Sequence, residues 1–177
     1  VVGRFEDSLS MTILPGYNQT GVGDVSIGLP IGYADGCTLT STANSVSWDG
    51  TVIGGSAVLG CNTYPFRWNS TTGFQVLDTS SPIVPSAVPS AKALATSGDG
   101  LVSAGWIQTS ARSGAVWDAA GVLSFPFVTA INTDGNGEIF AMDFTGDTVV
   151  GNSFVDGPVV VNADGIHSPA IDAGFFN

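Results

Sequence analysis

The sequence predicts an all-β protein made of four repeat units of about 50 residues, and three observations lead to this prediction. Apolar and β-branched residues alternate in short segments, which Gly, Asn and Asp interrupt every few residues. The first strand-like segments of the units begin at Val1, Val52, Val102 and Val149, in steps of 51, 50 and 47 residues. No window has the periodicity of an amphipathic helix. Units of this length hold four short strands, as propeller blades do.

The stretch from Ser47 to Leu77 gives the clearest unit. Asp49-Gly50 predicts a turn, residues 51–55 a strand, 56–64 a loop, 65–68 a second strand, and 74–77 a third strand after a turn ending at Gly73. A further type of strand precedes the turn, at residues 43–47, 92–96 and 138–143. With strands labelled A to D, the predicted order is B-C-D followed by three copies of A-B-C-D.

We expect a single domain over residues 1–177, with units at approximately 1–42, 43–90, 91–137 and 138–177. Strand A is missing from the first unit, where residues 16–37 are interpreted as strand D and an elaborated loop. Three explanations stay open. A partner chain donates the missing strand, the chain is part of a larger propeller, or the last strand closes the ring with the first.

Composition limits the partners that this chain can bind. Four Lys and Arg residues against 15 Asp and Glu give a net charge of −11, which argues against nucleic acid and against anionic membrane surfaces. No apolar run reaches the length needed to insert into a membrane. The chain begins in a strand-like segment, as a mature secreted chain or a fragment does. We therefore predict an extracellular or cell-surface location.

The motif S-x-D-G-x-V-I-G-G, followed by Y-P-F-R-W and G-F-x-V-L, spans residues 47–77. It resembles the HAF-type repeat of extracellular bacterial proteins, which has the form S-x-D-G, V-x-G, F-R-W and G-x-x-x-L. The likeness is weaker at residues 97–125, and Arg67 has no counterpart in the other units. The resemblance implies a secreted, propeller-like β protein of unassigned activity, and it transfers no catalytic residue.

In a propeller blade, the connections between strands lie on two opposite faces. The A–B and C–D turns share one face, the tight-turn face, where Asp49, Asp99, Asp118, Asp147 and Asp164 serve turn chemistry. The B–C loops and D–A connections share the other, the loop face, where we expect any binding site to lie. The predicted loop-face segments are residues 16–37, 56–64, 106–113, 132–137 and 152–157.

Two cysteines, Cys37 and Cys61, fall on the loop face and predict one disulfide, with two free thiols as the alternative. Tyr64 and Trp106 are candidates for stacking on a sugar, and Arg112 adds a hydrogen-bond donor. The alternative for such aromatic residues is a place in the core. The sequons at Asn18 and Asn69 matter only in a host that glycosylates secreted proteins.

The stretch from Asn132 to Asp143 resembles a calcium-binding loop. Oxygen-bearing residues occupy alternate positions, and an acidic residue stands at the twelfth. The candidate ligands are Asn132, Asp134, Asn136, Glu138 and Asp143. An Asn at the first position and the shorter Asp at the twelfth also fit an ordinary turn leading into a strand. A calcium ion here would be structural.

The sequence favours a non-catalytic protein with a structural, adhesive or ligand-binding role through the loop face. Its expected partners are further copies of itself, or a surface protein or glycan. His167 is the only histidine, and no catalytic constellation forms around it. The alternative is a carbohydrate-active hydrolase or lyase, which requires two converging carboxylates. The candidates for that pair are Asp24, Asp35, Glu138 and Asp156.

Overall fold

The computed structural model describes residues 2–7, 12–19, 23–28, 41–59, 61–80, 90–108, 111–129 and 131–167. The described residues form β-strands, turns and irregular segments without a helix, so the predicted all-β class is confirmed. It follows that no helix in these ranges could cross a membrane.

Within the described residues, fifteen strands form four antiparallel sheets, one of three strands and three of four. Sheet 1 contains β1 (Val2–Asp7), β2 (Thr12–Gln19) and β3 (Gly23–Ser26). Sheet 2 contains β4 (Ser41–Val46), β5 (Val52–Leu59), β6 (Asn62–Asn69) and β7 (Gly73–Val76). Sheet 3 contains β8 (Ala91–Thr96), β9 (Ser103–Gln108), β10 (Arg112–Trp117) and β11 (Leu123–Ser124). Sheet 4 contains β12 (Gly137–Met142), β13 (Val149–Ser153), β14 (Gly157–Asn162) and β15 (Gly165–His167).

In every sheet the strands lie side by side in chain order. Sheets 2, 3 and 4 therefore have the predicted order A-B-C-D, and sheet 1 has three strands. Four predicted loops are wrong in extent. Residues 16–19 belong to β2, and most of 56–64 belongs to β5 and β6. Only 109–111 separate β9 from β10, and only 154–156 separate β13 from β14. These hairpins stay paired almost to their tips, which shortens the loops.

The first strand of sheets 2, 3 and 4 carries a bulge at the same place. Asn44 is the extra residue in sheet 2, and Leu94 and Phe140 are its equivalents. A glycine of the next strand faces each bulge: Gly55, Gly105 or Gly151. A Cβ atom there would collide with the carbonyl oxygen of Thr42, Lys92 or Glu138, respectively. Close approach of two backbones therefore requires glycine at these positions.

Strand pairing around the bulge shifts the fourth unit by one residue relative to the alignment predicted from the repeat pattern. Ile53 pairs with the last residue of β4, and Val149 pairs with the last residue of β12, so these two are equivalent. The sequence pattern instead matches Val149 with Val52. The error arises because the turn before Val149 has its positive-φ glycine, Gly146, before an aspartate rather than after one.

Consecutive sheets pack against each other in chain order. β4 contacts β1 and β2, β8 contacts β4, β5 and β6, and β12 contacts β8, β9 and β10. A buried residue after each of the first three sheets, Ile27, Leu77 or Phe127, joins the apolar cluster of the following sheet. We call these three the bridging residues; they stand 50 residues apart. Within the described ranges, extensive strand contacts join only consecutive sheets.

Candidate functional site

The S-x-D-G turns are built as hydrogen-bonded units. Ser47 is buried; its Oγ donates to Asp49 Oδ1 (2.6 Å) and accepts from the Val52 amide (3.0 Å). The Thr51 amide and hydroxyl both donate to the same carboxylate. Gly50 has φ 75°, a conformation that glycine adopts without strain. These contacts confirm the turn role predicted for Asp49.

Sheet 3 repeats this turn. Ser97 Oγ donates to Asp99 Oδ1 (2.6 Å), and the Leu101 amide donates to the same oxygen (3.0 Å). These bonds lower the pKa of Asp99, as the bonds from Ser47 and Thr51 lower the pKa of Asp49. In sheet 4, Asp143 takes the position of the serine, because its amide donates to Thr148 O as the Ser47 amide donates to Val52 O.

The turns of neighbouring sheets are bonded to one another. The Trp48 amide donates to Gly98 O (2.8 Å), and the Asp99 amide donates to Phe144 O (3.0 Å). Both aromatic side chains are exposed, Trp48 by 86% and Phe144 by 57%. The A–B turns of sheets 2, 3 and 4 therefore form a continuous hydrogen-bonded edge that presents aromatic surface to solvent.

Arg67 ties sheet 2 to the turns of sheet 3. Its guanidinium donates to the carbonyl oxygens of Leu101 and Asp118 and to Ala119 O (3.2 Å), and only 5% of the residue is exposed. Burial lowers the pKa of Arg67, and the charge of Asp118 opposes that effect. The Nε atom is buried without a partner. Arg67 of the F-R-W motif thus links sheet 2 to sheet 3 by hydrogen bonds, a role that was not predicted from the sequence.

The loop end of sheets 3 and 4 holds the predicted ligand residues Trp106 and Arg112. Trp106 lies within β9 and is 5% exposed, so its rings are part of the packed structure. The guanidinium carbon of Arg112 lies 4.4 Å from its ring centroid, and Lys92 Nζ lies 5.9 Å away. Arg112 also forms an ion pair with Glu138 of sheet 4. Two of the four basic residues of the chain thus meet at one tryptophan.

The five candidate calcium ligands do not come together. Strand β12 (Gly137–Met142) is extended between Asn136 and Asp143, and at about 3.3 Å per residue it places them roughly 20 Å apart. Glu138 uses its carboxylate for Arg112. The described residues contain no group of three or more His, Cys, Asp or Glu side chains placed to hold a metal. Calcium itself stays a prediction.

Asn132 and Asn136 do meet, in a closed turn. Asn132 is buried, and its Oδ1 accepts from the Asn136 amide (2.8 Å) while its Nδ2 donates to Asn136 O (3.1 Å). Ser113 Oγ of sheet 3 donates to Asp134 O (2.7 Å). The segment therefore bridges sheets 3 and 4. The Oδ1 atom of Asn136 is buried without a partner, which leaves one oxygen of the predicted set able to accept a further bond.

The remaining candidates are scattered. Tyr64 lies in β6 and packs against the core cluster of sheet 2. Asp156 accepts from Ser153 Oγ (2.9 Å) in the β13–β14 hairpin. Asp35 and Cys37 lie outside the described residues, so the Cys37–Cys61 disulfide stays a prediction. Asp24 lies in β3 of sheet 1.

The sequence missed Lys92, whose place opposite Trp106 depends on the pairing of β8 with β9. Alternation along β8 was its only signal, since Lys92 is exposed between the buried residues Ala91 and Ala93. No family model matches the chain, and no curated protein matches it.

Proposed function

We propose that this chain is a secreted or cell-surface, non-catalytic β-repeat protein of the HAF type, with its sheets arranged as in a propeller. Its role is structural or adhesive, and it binds a glycan or a protein through the loop face. The chain order within each sheet and the packing of each A strand on the preceding sheet support a propeller-like arrangement.

One observation carries the non-catalytic proposal: Glu138 and Asp156, two of the four candidate carboxylates, already make internal contacts. Glu138 pairs with Arg112 between sheets 3 and 4, and Asp156 accepts a bond within its own hairpin. A glycosidase needs two carboxylates directed at one substrate bond. Glu138 and Asp156 are instead directed at partners within the protein.

The binding proposal rests on the group formed by Lys92, Trp106 and Arg112. Half of the Arg112 side chain and the exposed Lys92 face solvent beside an aromatic ring that the sheet holds rigidly. Both are cations in a chain of net charge −11, and with Glu138 paired to Arg112 the group keeps one net positive charge on an acidic protein. Acidic or hydroxyl-rich glycans fit such a group.

A glycan array probed with the full chain tests this proposal. We expect binding to acidic glycans that falls in Arg112→Gln and Lys92→Gln, while Arg4→Gln serves as the charge-matched control in sheet 1. In parallel, polysaccharides are incubated with the chain and reducing ends are measured. Release of reducing ends that is lost in Glu138→Gln or Asp156→Asn would overturn the proposal and favour the carbohydrate-active enzyme.

A further inference from the structure

The two cations beside Trp106 differ in how they are paired. Arg112 donates through Nη1 to Glu138 and, in the part of the chain that the structure describes, has no other hydrogen-bond partner. Lys92 has no acidic partner within the same ranges. The Arg112 side chain is 49% exposed, and Lys92 is exposed as well. Part of the guanidinium and the whole ammonium group are therefore able to bind a further anion.

Trp106 keeps both cations near one point. Its ring centroid lies 4.4 Å from Arg112 Cζ and 5.9 Å from Lys92 Nζ. Trp106 itself is 5% exposed within β9. A sugar that binds by stacking needs an open ring face, and this ring is buried with the two cations beside it. A ligand therefore makes its contact through a charged group rather than through its ring.

The backbone keeps Glu138 within reach of Arg112. Ser113 Oγ donates to Asp134 O (2.7 Å), and Ser113 also pairs with Asn136 in an isolated β-bridge. Arg112 begins β10 directly before this bridge, and Glu138 lies at the start of β12 directly after it. The two strand ends are thus bonded to each other independently of the ion pair. Glu138 is a carboxylate tethered beside Arg112 whether or not a ligand is bound.

We propose that the ligand of this site carries a carboxylate, as a glycan of hexuronic acid residues does, and that Glu138 is an internal competitor for Arg112. This inference rests on the glycan binding proposed above. Glu138 shows which chemical group Arg112 accepts. A carboxylate of the ligand binds Arg112 in its place, and Lys92 supplies a second positive charge that Glu138 does not use.

The ion pair is weak enough to be displaced. Water and salt screen exposed pairs, and the upper end of their usual contribution corresponds to about fivefold in an equilibrium constant. Glu138 therefore lowers the affinity for an anionic ligand without preventing its binding. A ligand that contacts both Arg112 and Lys92 gains one cation more than Glu138 does, which favours the exchange.

Calorimetric titration of the full chain with oligogalacturonate at constant low ionic strength tests this inference. Glu138→Gln should bind about two- to fivefold more tightly than the unaltered chain. Glu138→Asp keeps the charge but is one methylene shorter, so its carboxylate is drawn back from Arg112 and the affinity should rise as well. Asp156→Asn is the matched control, because it removes one charge from the β13–β14 hairpin and should leave the affinity nearly unchanged. The methyl ester of the same oligosaccharide should not bind.

Arginine side-chain NMR on the unaltered chain gives a second measurement that needs no variant to fold. The chain has three arginines, so their Nε–H signals are few enough to separate at mildly acidic pH. Oligogalacturonate should shift the signal of Arg112 and leave that of the buried Arg67 unchanged. A shift at neither arginine would contradict the assignment of the site.

The variants separate this inference from the proposed function. Equal affinities of the unaltered chain, Glu138→Gln and Glu138→Asp overturn the competition, as do equal gains in Glu138→Gln and Asp156→Asn. A gain in Glu138→Gln with Glu138→Asp unchanged assigns the effect to net charge and also overturns it. In these cases glycan binding stands. Binding of the methyl ester, or no binding of oligogalacturonate by any form, overturns the carboxylate. Only the absence of binding to every glycan refutes the proposed glycan binding as well.

Discussion

The junction between sheets 2 and 3 and the junction between sheets 3 and 4 share a backbone arrangement but differ in chemistry. At the first, the buried Arg67 donates to turn carbonyls of the next sheet, and Leu77 is the bridging residue. At the second, Val116 stands where Arg67 would be, and Phe127 is the bridging residue. One junction depends on polar bonds and the other on an aromatic ring.

Glycine positions explain how the larger bridging residue fits. A Cβ atom at Gly114 would lie 2.6 Å from the Phe127 ring, and at Gly137 it would lie 2.7 Å away. In sheet 2 the position of Gly114 is taken by Pro65, and the bridging residue there is the smaller Leu77. The small Gly114 therefore accompanies the large Phe127, and the larger Pro65 accompanies the smaller Leu77. Repeats can diverge in sequence when volume at the junction is conserved.

The largest effect is expected for Phe127→Ala. The ring is 1% exposed and fills the space between sheets 3 and 4, so its removal leaves a cavity and should lower the free energy of unfolding by about 3–5 kcal/mol. Phe127→Leu keeps much of the volume and should cost clearly less. Chemical denaturation measures both. Equal stability of Phe127→Ala and the unaltered chain would show that the ring does not support this junction.

Gly114→Ala tests the same packing from the other side. Alone it crowds the ring and should cost about 1–3 kcal/mol. In the Phe127→Ala background the added methyl group enters vacated space, so the same substitution should cost much less. Equal costs in the two backgrounds would mean that the methyl group and the ring do not meet.

The elements and their order were predictable from sequence because each depends on local rules. The turns at Asp49 and Asp99 follow from aspartate and glycine chemistry, and the equivalence of Trp68 and Trp117 followed from the repeat spacing. The site was less predictable. The sequence pattern places Trp106 in a loop because the short β9–β10 hairpin leaves no compositional boundary. The carbonyl groups that Arg67 binds lie 34 to 52 residues away along the chain, so no local pattern indicates them.

The second effect concerns Arg67, the polar counterpart of Phe127. Arg67→Ala removes charged hydrogen bonds to three carbonyl groups and should lower the free energy of unfolding by about 1.5–3 kcal/mol. Arg67→Met keeps the aliphatic stem, so the difference between the two variants reports packing, and the loss that remains in Met reports the bonds. Full stability of Arg67→Met would show that these bonds contribute nothing. Thermal unfolding at neutral pH measures both variants.

A smaller effect is expected from acidification, through the turns that link the junctions. The pKa of Asp99 in the folded chain lies below its unfolded value, because Ser97 and the Leu101 amide donate to the carboxylate. Its stabilising contribution is complete above the unfolded pKa, about 3.9, and is lost as the pH falls through the folded pKa. The melting temperature should therefore fall less steeply below pH 4 in Asp99→Asn than in the unaltered chain. An identical slope would contradict this, and Asp164→Asn controls for the loss of one charge.

The smallest effect is expected for the ion pair between Arg112 and Glu138, although it crosses the junction as Arg67 does. The Arg112 side chain is 49% exposed, so water and salt screen the attraction, and exposed pairs contribute about 0–1 kcal/mol. A double-mutant cycle of Arg112→Gln and Glu138→Gln should give a small coupling that disappears in about 1 M salt. A coupling energy as large as the stability lost in Arg67→Met, and unchanged by salt, would contradict this. It would mean that charged contacts stabilise both junctions equally. With the expected result, the charge of Arg67 stabilises the junction of sheets 2 and 3 because it is buried. The exposed charge of Arg112 contributes little to the junction of sheets 3 and 4, and Arg112 therefore stays accessible to the proposed ligand.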